Sequence, residues 1–193
     1  MRTWFPRRGS MRSLVLVFVL LAVVVLSRCD APGTDDEETD PRFAQGKELP
    51  ARVTDVVDGD TIEVLLPDGQ EEDVRYIGID TPESVKPGSP VECGGPRASR
   101  VNERLVGGKL VLLKFDAEER DRYGRLLAYV YLPHGEGGQG AASRDLLVNA
   151  ELVERGLART LEIEPNDSLA ELFSALEAAA GRAGRGLWGN CGW

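Results

Sequence analysis

The sequence lacks the excess of basic residues that is typical of proteins with a general affinity for nucleic acid. Its 193 residues include 23 Lys and Arg against 32 Asp and Glu, which gives a formal net charge of -9. Five of the arginines lie within residues 1–28, so the remainder of the chain has a net charge near -14. Nonspecific polyanion binding comes mainly from basic side chains that contact phosphates. Any phosphate chemistry must therefore depend on a local site, and we expect that site to include a bound cation.

The sequence also lacks an apolar run of the roughly 20 residues that cross a bilayer. Its longest run extends from Leu14 to Leu26, within a segment that contains arginines and no acid. A positive segment followed by an apolar segment of this length is typical of an export signal. We assign residues 1–28 to a signal peptide or N-terminal membrane segment that starts at Met1 or at Met11. We expect the rest of the chain to be extracytoplasmic: secreted, periplasmic or anchored to the membrane as a lipoprotein.

Cysteine and histidine are scarce, with three residues and one residue respectively. Cys29 directly follows the apolar run, as a lipidated cysteine does, although Arg28 stands where lipoprotein signals usually have a small residue. Exported proteins tend to pair their thiols, and three is an odd number. Cys93 and Cys191 could form a disulfide and leave Cys29 for a lipid; three free thiols are the alternative. His134 lies in a glycine-rich loop, and we expect no catalytic role for it.

Residues 29–49 are polar and lack apolar periodicity. Their acids are concentrated between Asp35 and Asp40. Such a segment cannot bury enough apolar surface to fold alone, so we predict a flexible acidic linker. One folded domain is expected at residues 50–190, because the length and the 42% hydrophobic composition are enough for one core.

Within that domain, the apolar pattern predicts strands first and helices later. Ile62, Val64 and Leu66 alternate with other residues, and a turn at Pro67–Gly69 follows them, which predicts a hairpin. This order of elements indicates an α+β domain. The further predicted elements are strands at Leu110–Phe115 and Leu126–Leu132, and helices at Ala98–Val106, from Ser143 to Arg155, and from Ser168 onward.

The last of these helices has the spacing of a capping box, with Ser168 followed three residues later by Glu171. Helical periodicity then predicts one apolar face. The residues expected on that face are Leu169, Leu172, Phe173, Leu176 and Ala180.

Three short segments concentrate the residue types of phosphate chemistry: 57–61 (VDGDT), 75–83 (RYIGIDTPE) and 121–125 (DRYGR). Their carboxylates border predicted strands, and hard cations such as Ca2+ bind carboxylate and carbonyl oxygens. Their arginines offer planar guanidinium groups that match phosphate oxygens. Taken singly, each segment is more often an ordinary turn or a solvated charge. Their combination in one small β-rich domain favours phosphoryl chemistry.

From Ala51 to Trp188 the sequence resembles the staphylococcal nuclease family, through the stretches VVDGDT, VRYIGIDTPE, DRYGRLLAYVY, VNAELVERGLA and GLWG. The resemblance implies a five-stranded OB-fold-like β-barrel with about three helices. It also implies Ca2+-dependent hydrolysis of DNA and RNA. We expect the protein to be a monomer that favours single-stranded substrates. Cleavage would break the 5′ P–O bond and leave 3′-phosphates.

The same resemblance implies a role for each matching residue. Asp60, Asp80 and the backbone carbonyl of Thr81 would bind Ca2+, with Asp58 in the outer sphere. Glu83 would accept the proton of the attacking water or orient that water, and Arg75 and Arg125 would stabilise the transition state. Arg122 and Tyr123 would contact substrate, a packing role for Tyr123 being the alternative. Cys93 and Cys191 match a cysteine pair of some exported relatives.

The sequence departs from the family at Glu162 and Glu164, where aromatic residues that stack on a base are expected. Stacking contributes roughly 1 to 3 kcal/mol per base, so we expect weaker substrate binding.

Two other functions compete with an enzyme: an OB-type single-strand-binding module without catalysis, and an inert membrane-anchored protein. The metal carboxylates and both arginines favour the enzyme, because neither alternative needs them.

Overall fold

A computed structural model describes Arg42 and residues 44–84, 91–135 and 145–193. The predicted signal, Cys29 and most of the predicted linker lie outside the described residues. No helix in the described part of the chain is long and apolar enough to cross a membrane.

Eight strands and four helices are present in these residues. The strands are β1 (Glu48–Val56), β2 (Thr61–Leu65), β3 (Glu71–Tyr76), β4 (Ile79–Asp80), β5 (Leu110–Lys114), β6 (Leu126–Leu132), β7 (Leu146–Leu147) and β8 (Arg159–Thr160). The helices are α1 (Gly95–Val106), α2 (Val148–Glu154), α3 (Ala170–Arg182) and the short α4 (Leu187–Asn190).

Five strands form a closed barrel in the order β3-β2-β1-β5-β6. Neighbours in this order are antiparallel, and β3 closes the barrel by pairing in parallel with β6, with Val74 opposite Leu126 and Arg75 opposite Leu127. Closure leaves these strands without free edges. The expected five-stranded OB-like barrel with helices is confirmed. The short strands β4 and β8 form a separate antiparallel pair beside it.

Burial follows the predicted alternation in the first hairpin. Ile62 and Val64 of β2 are fully buried, whereas Glu63 between them is exposed. Strand β6 is buried on both faces over most of its length, because one face lines the barrel and the other is covered by helices. Phe173 of α3 packs against Tyr129 of β6 with the rings tilted by 50° and their centroids 6.1 Å apart.

The helix predicted from Ser143 begins only at Val148. Leu146 and Leu147 instead form β7, which pairs with Leu132 and Tyr131 at the end of β6. The apolar periodicity of this segment does not distinguish the two states, and pairing with β6 decides for the strand. Ser143 lies outside the described residues.

The predicted start of α3 is also partly wrong. Its N-cap is Leu169, with no side-chain cap, and the Ser168 hydroxyl donates to Asp116 Oδ1 at 2.7 Å. On the expected apolar face, Phe173 and Ala180 are buried but Leu172 is 43% exposed. A long-range hydrogen bond has therefore replaced the local capping box.

Asp116, just after β5, links four parts of the domain. Its Oδ1 accepts from Gln45 Nε2 at 3.1 Å and from the Ser168 hydroxyl, and its Oδ2 accepts from the Tyr129 hydroxyl at 2.9 Å and from the Ser168 N–H at 3.1 Å. Burial raises the pKa of Asp116, but the hydrogen bonds from Ser168, Tyr129 and Gln45 outweigh it and hold the pKa below its ordinary value. The ionised form is therefore favoured in the folded state.

The two ends of the helical region lie close together at the cysteines. Cys93 precedes α1 and Cys191 follows α4, and their Sγ atoms are paired with the Cα atoms 5.9 Å apart. This separation suits a disulfide. It would join residues 98 positions apart in sequence.

Asp116→Asn should lower the free energy of unfolding by about 2 kcal/mol at pH 7, because hydrogen bonds to a charged acceptor weaken. A depressed folded-state pKa stabilises the fold above the unfolded value and is lost as pH falls through the folded value. The difference from wild type should therefore shrink below about pH 4. Urea denaturation from pH 3 to 7 measures it, with Asp55→Asn on the exposed face of β1 as control. A difference independent of pH would contradict the ionised state of Asp116.

Candidate active site

The first predicted segment forms the turn between β1 and β2. Asp58 Oδ1 accepts the N–H of Asp60 at 3.0 Å, an arrangement that closes the turn locally. Gly59 is required by close packing, because a Cβ there would lie 2.5 Å from the Thr81 hydroxyl oxygen. Asn102 of α1 donates to the carbonyl of Asp58 at 3.1 Å and accepts from the Tyr76 hydroxyl at 3.0 Å. The turn is thus fixed to both the helix and the barrel.

Asp60 is buried, with 5% of its surface exposed. Its Oδ2 accepts the N–H of Thr81 at 2.6 Å and the Thr81 hydroxyl at 3.0 Å. Its Oδ1 lies 3.2 Å from Arg75 Nη1. Each carboxylate oxygen therefore has a polar partner, as a buried charge requires.

Arg75 on β3 connects the two predicted metal carboxylates. Its guanidinium contacts Asp60 through Nη1 and Asp80 Oδ1 through Nη2, at 3.1 Å. Nη1 also donates to the carbonyl of Tyr76 at 2.9 Å. The Arg75 side chain is 9% exposed and that of Asp80 is 60% exposed, so Asp80 is the member of this cluster that faces solvent.

The cluster carries more negative charge than Arg75 neutralises. Burial, followed by the charge of Asp60, raises the pKa of Asp58 to about 6. Burial also raises the pKa values of Asp60 and Asp80, although Arg75 opposes both shifts. Glu92, Asp58 and Glu83 add to the rise in the pKa of Asp80. Ionised carboxylates crowded in this way would be stabilised by a further cation.

The oxygen atoms of this cluster are chemically suited to bind a hard cation such as Ca2+, because they belong to carboxylates and carbonyls. Their charge excess fits it as well. Within the described residues, no group of three or more Asp, Glu, His or Cys side chains is arranged to hold a metal. Protein carboxylates alone would therefore leave coordination positions to carbonyls, water or substrate.

The 121–125 segment forms a tight turn that orients Arg125. Asp121 Oδ1 accepts the N–H groups of Tyr123 and Arg125 at 2.9 and 3.0 Å. Asp121 Oδ2 accepts from Arg125 Nε at 2.8 Å and lies 2.7 Å from Nη2. Burial raises the pKa of Asp121, but hydrogen bonds from Arg125 and Tyr123 outweigh it, so the pKa is below its ordinary value. The second guanidinium is thus held in one orientation before any ligand arrives.

Tyr123 is 69% exposed, so the alternative of a packing tyrosine is wrong. Its ring lies under two guanidinium groups, with the Cζ atoms of Arg122 and Arg125 4.8 and 5.6 Å from the centroid. Arg122 Nη2 also donates to the Tyr123 hydroxyl at 2.7 Å. The ring and the two cations form one exposed surface.

A cleft of about 660 Å³ joins this surface to the Arg75 cluster. The residues lining it are Arg75, Asp80, Glu118, Asp121, Arg122, Tyr123, Arg125, Leu127, Leu161 and Ile163. The structure therefore brings together five of the predicted residues: Arg75, Asp80, Arg122, Tyr123 and Arg125. Asp60 and Thr81 lie buried behind Asp80.

Glu83 is not among the residues lining the cleft. Its Oε1 accepts the N–H of Ser84 at 3.1 Å, and its own N–H donates to Glu92 Oε2 at 3.1 Å. His134 does not line the cleft either.

Sequence reasoning singled out the segment that contains Asp121 but gave this residue no role, although it stands four residues before Arg125 in a glycine-containing turn. It missed Glu92 and three residues of the cleft lining, Glu118, Leu161 and Ile163. These four depend on contacts between distant segments, for which a single sequence gives no signal.

The chain was compared with known proteins. The family model described as staphylococcal nuclease homologue matches residues 73–190. A thermonuclease of Staphylococcus hyicus is 34% identical over 175 residues, covering 91% of this chain and 96% of that protein. A thermonuclease of Staphylococcus intermedius is 39% identical over 133 residues, covering 69% and 72%. Endonuclease YncB of Bacillus subtilis (strain 168) is 38% identical over 139 residues, covering 71% and 60%.

The family model covers Arg75, Asp80 and the Arg125 turn, and the Staphylococcus hyicus match covers nine-tenths of the chain, the barrel included. A site built from carboxylates and two oriented guanidinium groups suits phosphoryl chemistry. The chain belongs to the staphylococcal nuclease family and is a nuclease that binds nucleic acid and hydrolyses its phosphodiester bonds.

Proposed function

We propose that this chain is an exported, monomeric, Ca2+-dependent nuclease that cleaves single-stranded DNA and RNA at the 5′ P–O bond and leaves 3′-phosphates. The observation that carries the proposal is one cleft in which the Arg75 guanidinium contacts Asp80 while the turn at Asp121 holds Arg125 nearby. Carboxylates for a hard cation and two planar cations for a phosphate are the parts that phosphodiester hydrolysis requires.

Asp60, Asp80 and the carbonyl of Thr81 are the groups that would hold Ca2+, with Asp58 in the outer sphere. Bound Ca2+ would withdraw charge from a phosphate oxygen and lower the pKa of nearby water. The composition of the cluster supports this assignment, because Arg75 supplies one positive charge against the carboxylates of Asp58, Asp60 and Asp80, and such a cluster would gain from a further cation.

The two arginines have different tasks before substrate binds. Arg75 is held between Asp60 and Asp80, so its guanidinium already partly neutralises the cluster. Arg125 is oriented by Asp121 through Nε and Nη2. Both groups would donate to the phosphate oxygens on which negative charge grows in the transition state. Because they are oriented in advance, little reorganisation is needed at the moment of reaction.

Glu83 would accept a proton from the attacking water. This role requires it to be ionised and within hydrogen-bond reach of that water. Glu83 follows Asp80 by three residues but does not line the cleft, so the role requires its side chain to turn toward the cleft when substrate binds. Catalytic hydrogen bonds are often not yet formed without substrate.

The exposed Tyr123 ring supports a preference for single strands. An unpaired base can reach an exposed aromatic face, whereas a base inside a duplex cannot. Leu161 and Ile163 add apolar surface to the lining of the same cleft. They follow Arg159–Thr160 in the segment where Glu162 and Glu164 replace the expected aromatics, so base stacking there is weak and Tyr123 would contribute most of it.

A single-strand-binding module is the second candidate. The same exposed Tyr123 and flanking arginines would serve it. It would not need the buried ion pairs of Arg75 with Asp60 and Asp80, which favours the enzyme.

Activity tests the assigned roles. A chain spanning Ala31 to Trp193 should release acid-soluble nucleotides from denatured DNA with Ca2+ and lose this activity with EGTA. Glu83→Gln should lower kcat about 10²- to 10⁴-fold, since the general base is lost. Arg125→Ala should lower it about 10²- to 10³-fold.

The matched controls for this experiment are Glu171→Gln at the exposed start of α3 and Arg97→Ala on the exposed face of α1, which should keep wild-type activity. If the wild-type chain bound single strands but cut none at any Ca2+ concentration, the binding module would be the better assignment.

Metal binding can be measured without activity. Ca2+ at about 100 times its dissociation constant should stabilise the fold by about 2.7 kcal/mol, or raise Tm by roughly 5 to 10 °C. Asp80→Asn should abolish most of this shift in a thermal melt. Asp73→Asn, on the exposed face of β3, should retain it. An equal shift in both variants would place the cation elsewhere.

The proposals of export and of membrane anchoring depend on the sequence of residues 1–29, which lie outside the described residues. Cell fractionation should recover the full chain outside the cytoplasm, in the membrane fraction, with an incorporated radiolabelled fatty acid. Cys29→Ser should remove the label and leave the chain soluble or uncleaved. Recovery of unlabelled wild-type chain in the cytoplasm would contradict both export and lipidation.

A further inference from the structure

The C-terminal segment of the chain, residues 187–193, lies against the segment that carries Glu83. The two are joined at Cys191 and Cys93, whose Sγ atoms are paired. Glu92, the residue before Cys93, contacts Glu83 directly. The Cys93–Cys191 cross-link does not line the cleft, but Cys93 is adjacent in sequence to Glu92, which contacts the proposed general base Glu83.

Cys191 has a fixed position relative to the core. Its N–H donates to the carbonyl of Leu187 at 2.8 Å, and Leu187 is 1% exposed. The Leu187 N–H in turn donates to the carbonyl of Gly156, just after α2, at 2.9 Å. Gly94 packs closely on this leucine, since a Cβ there would lie 2.0 Å from Leu187 Cδ2. The C-terminal half of the cross-link is thus anchored in the hydrophobic core.

Residues next to Cys93 contact both the N–H and the carbonyl of Glu83. The Glu92 N–H donates to the Glu83 carbonyl at 2.9 Å, and Glu92 Oε2 accepts the Glu83 N–H at 3.1 Å. Gly95 lies against the same carbonyl, because a Cβ there would be 2.5 Å from the Glu83 oxygen. The position of Glu83 therefore depends on where Glu92 and Gly95 are held.

Glu92 and Cys93 are themselves exposed. Exposed backbone hydrogen bonds with little apolar burial open easily. The connection through Cys93 to Cys191 adds a covalent link to the packing of Gly94 on the buried Leu187, and the two together hold this exposed turn.

The same C-terminal segment supports the other end of the Asp80–Glu83 stretch. The Trp193 ring lies 4.2 Å from Arg159 Cζ, and the Trp188 ring lies 5.6 Å from it. Arg159 pairs with Asp80 in the ladder between β8 and β4. Residues 187–193 thus contact partners of both Asp80 and Glu83.

We propose that the Cys93–Cys191 disulfide and Glu92 position Glu83 for proton abstraction, so that the disulfide governs turnover as well as stability. This inference rests on the proposed role of Glu83. Cys93, Cys191 and Glu92 are positioning residues, because they act through Glu83 and do not touch substrate. Their effect should appear in kcat, with KM nearly unchanged, because none of them lines the cleft.

The disulfide can be opened in the folded protein because Cys93 is exposed. A dithiol reagent donates two electrons and two protons to the S–S bond. The products are two protein thiols and the cyclic disulfide of the reagent. Re-formation transfers the same two electrons to an oxidised dithiol or to oxidised glutathione.

The experiment uses the full chain with Cys29→Ser, purified in detergent, so that Cys93 and Cys191 are its only cysteines. Thiol titration should find no free thiol before reduction and two after it. Kinetics are measured at a temperature well below Tm, with folding checked by circular dichroism. Reduction, and the double substitution Cys93→Ser/Cys191→Ser, should each lower kcat 10- to 100-fold, because small misplacements of a catalytic group have effects of this size. KM should stay within about twofold.

The decisive comparison is made in the Glu83→Gln background. If the disulfide acts through Glu83, reduction should leave the remaining kcat of Glu83→Gln unchanged. Equal proportional losses in wild type and Glu83→Gln would overturn the positioning role and leave the role of Glu83 intact. A Glu83→Gln variant as active as wild type would instead overturn the proposed function. Two free thiols in the unreduced protein would also overturn the inference.

Two controls separate positioning from general destabilisation. Val111→Ala, in the buried face of β5, should lower Tm without changing kcat at the assay temperature. Glu92→Ala keeps the disulfide and removes the carboxylate that accepts the Glu83 N–H. It also removes a negative charge that acts on Asp80, so kcat is compared at saturating Ca2+. It should lower kcat in wild type and not in Glu83→Gln, which tests the inference even if the serine variant fails to fold. Unchanged kcat in Glu92→Ala would remove Glu92 from the proposal.

Discussion

The buried guanidinium of Arg75 is the contact on which the site depends. It lies between Asp60 and Asp80, which come from different parts of the chain, and it also donates to the carbonyl of Tyr76. A carboxylate as buried as Asp60 is tolerated only with such partners, since an unpaired buried charge is strongly destabilising. The same contact leaves Asp80 facing the cleft with part of its charge unneutralised. One interaction therefore both neutralises the buried Asp60 and orients Asp80 at the cleft.

Closure of the barrel brings the remaining parts to this contact. The parallel pairing of β3 with β6 sets Val74 opposite Leu126 and Arg75 opposite Leu127. Arg125 directly precedes Leu126, so the pairing that removes the sheet edge also places the second guanidinium beside the first. The same closure explains how an acidic protein can act on a polyanion. Arg75, Arg122 and Arg125 balance the three acids of the cleft lining, Asp80, Glu118 and Asp121, so the cleft is less acidic than the protein as a whole. Long-range steering of the substrate stays weak.

The local features of the sequence were sufficient for much of the fold. The alternation in β2, the turn after it and the α+β order followed from apolar periodicity and turn chemistry, which act over a few residues. The three charged segments were found for the same reason, because each is a short turn bordering a strand. Predictions failed where a distant partner competed with a local preference: Leu146 and Leu147 pair with β6, and Ser168 bonds Asp116 instead of capping α3.

The sequence by itself determined which chemical groups the protein has: carboxylates at 58, 60 and 80, arginines at 75 and 125, and a strand pattern that could carry them. Only the tertiary structure decided how they are used. Chain segments must meet in space before Arg75 can bridge Asp60 and Asp80. The exposure of Tyr123 and the contact of Glu92 with Glu83 depend on tertiary structure in the same way. Such contacts form when the barrel closes, and no local pattern encodes them, because their energy comes from burial and charge shared between segments far apart in sequence.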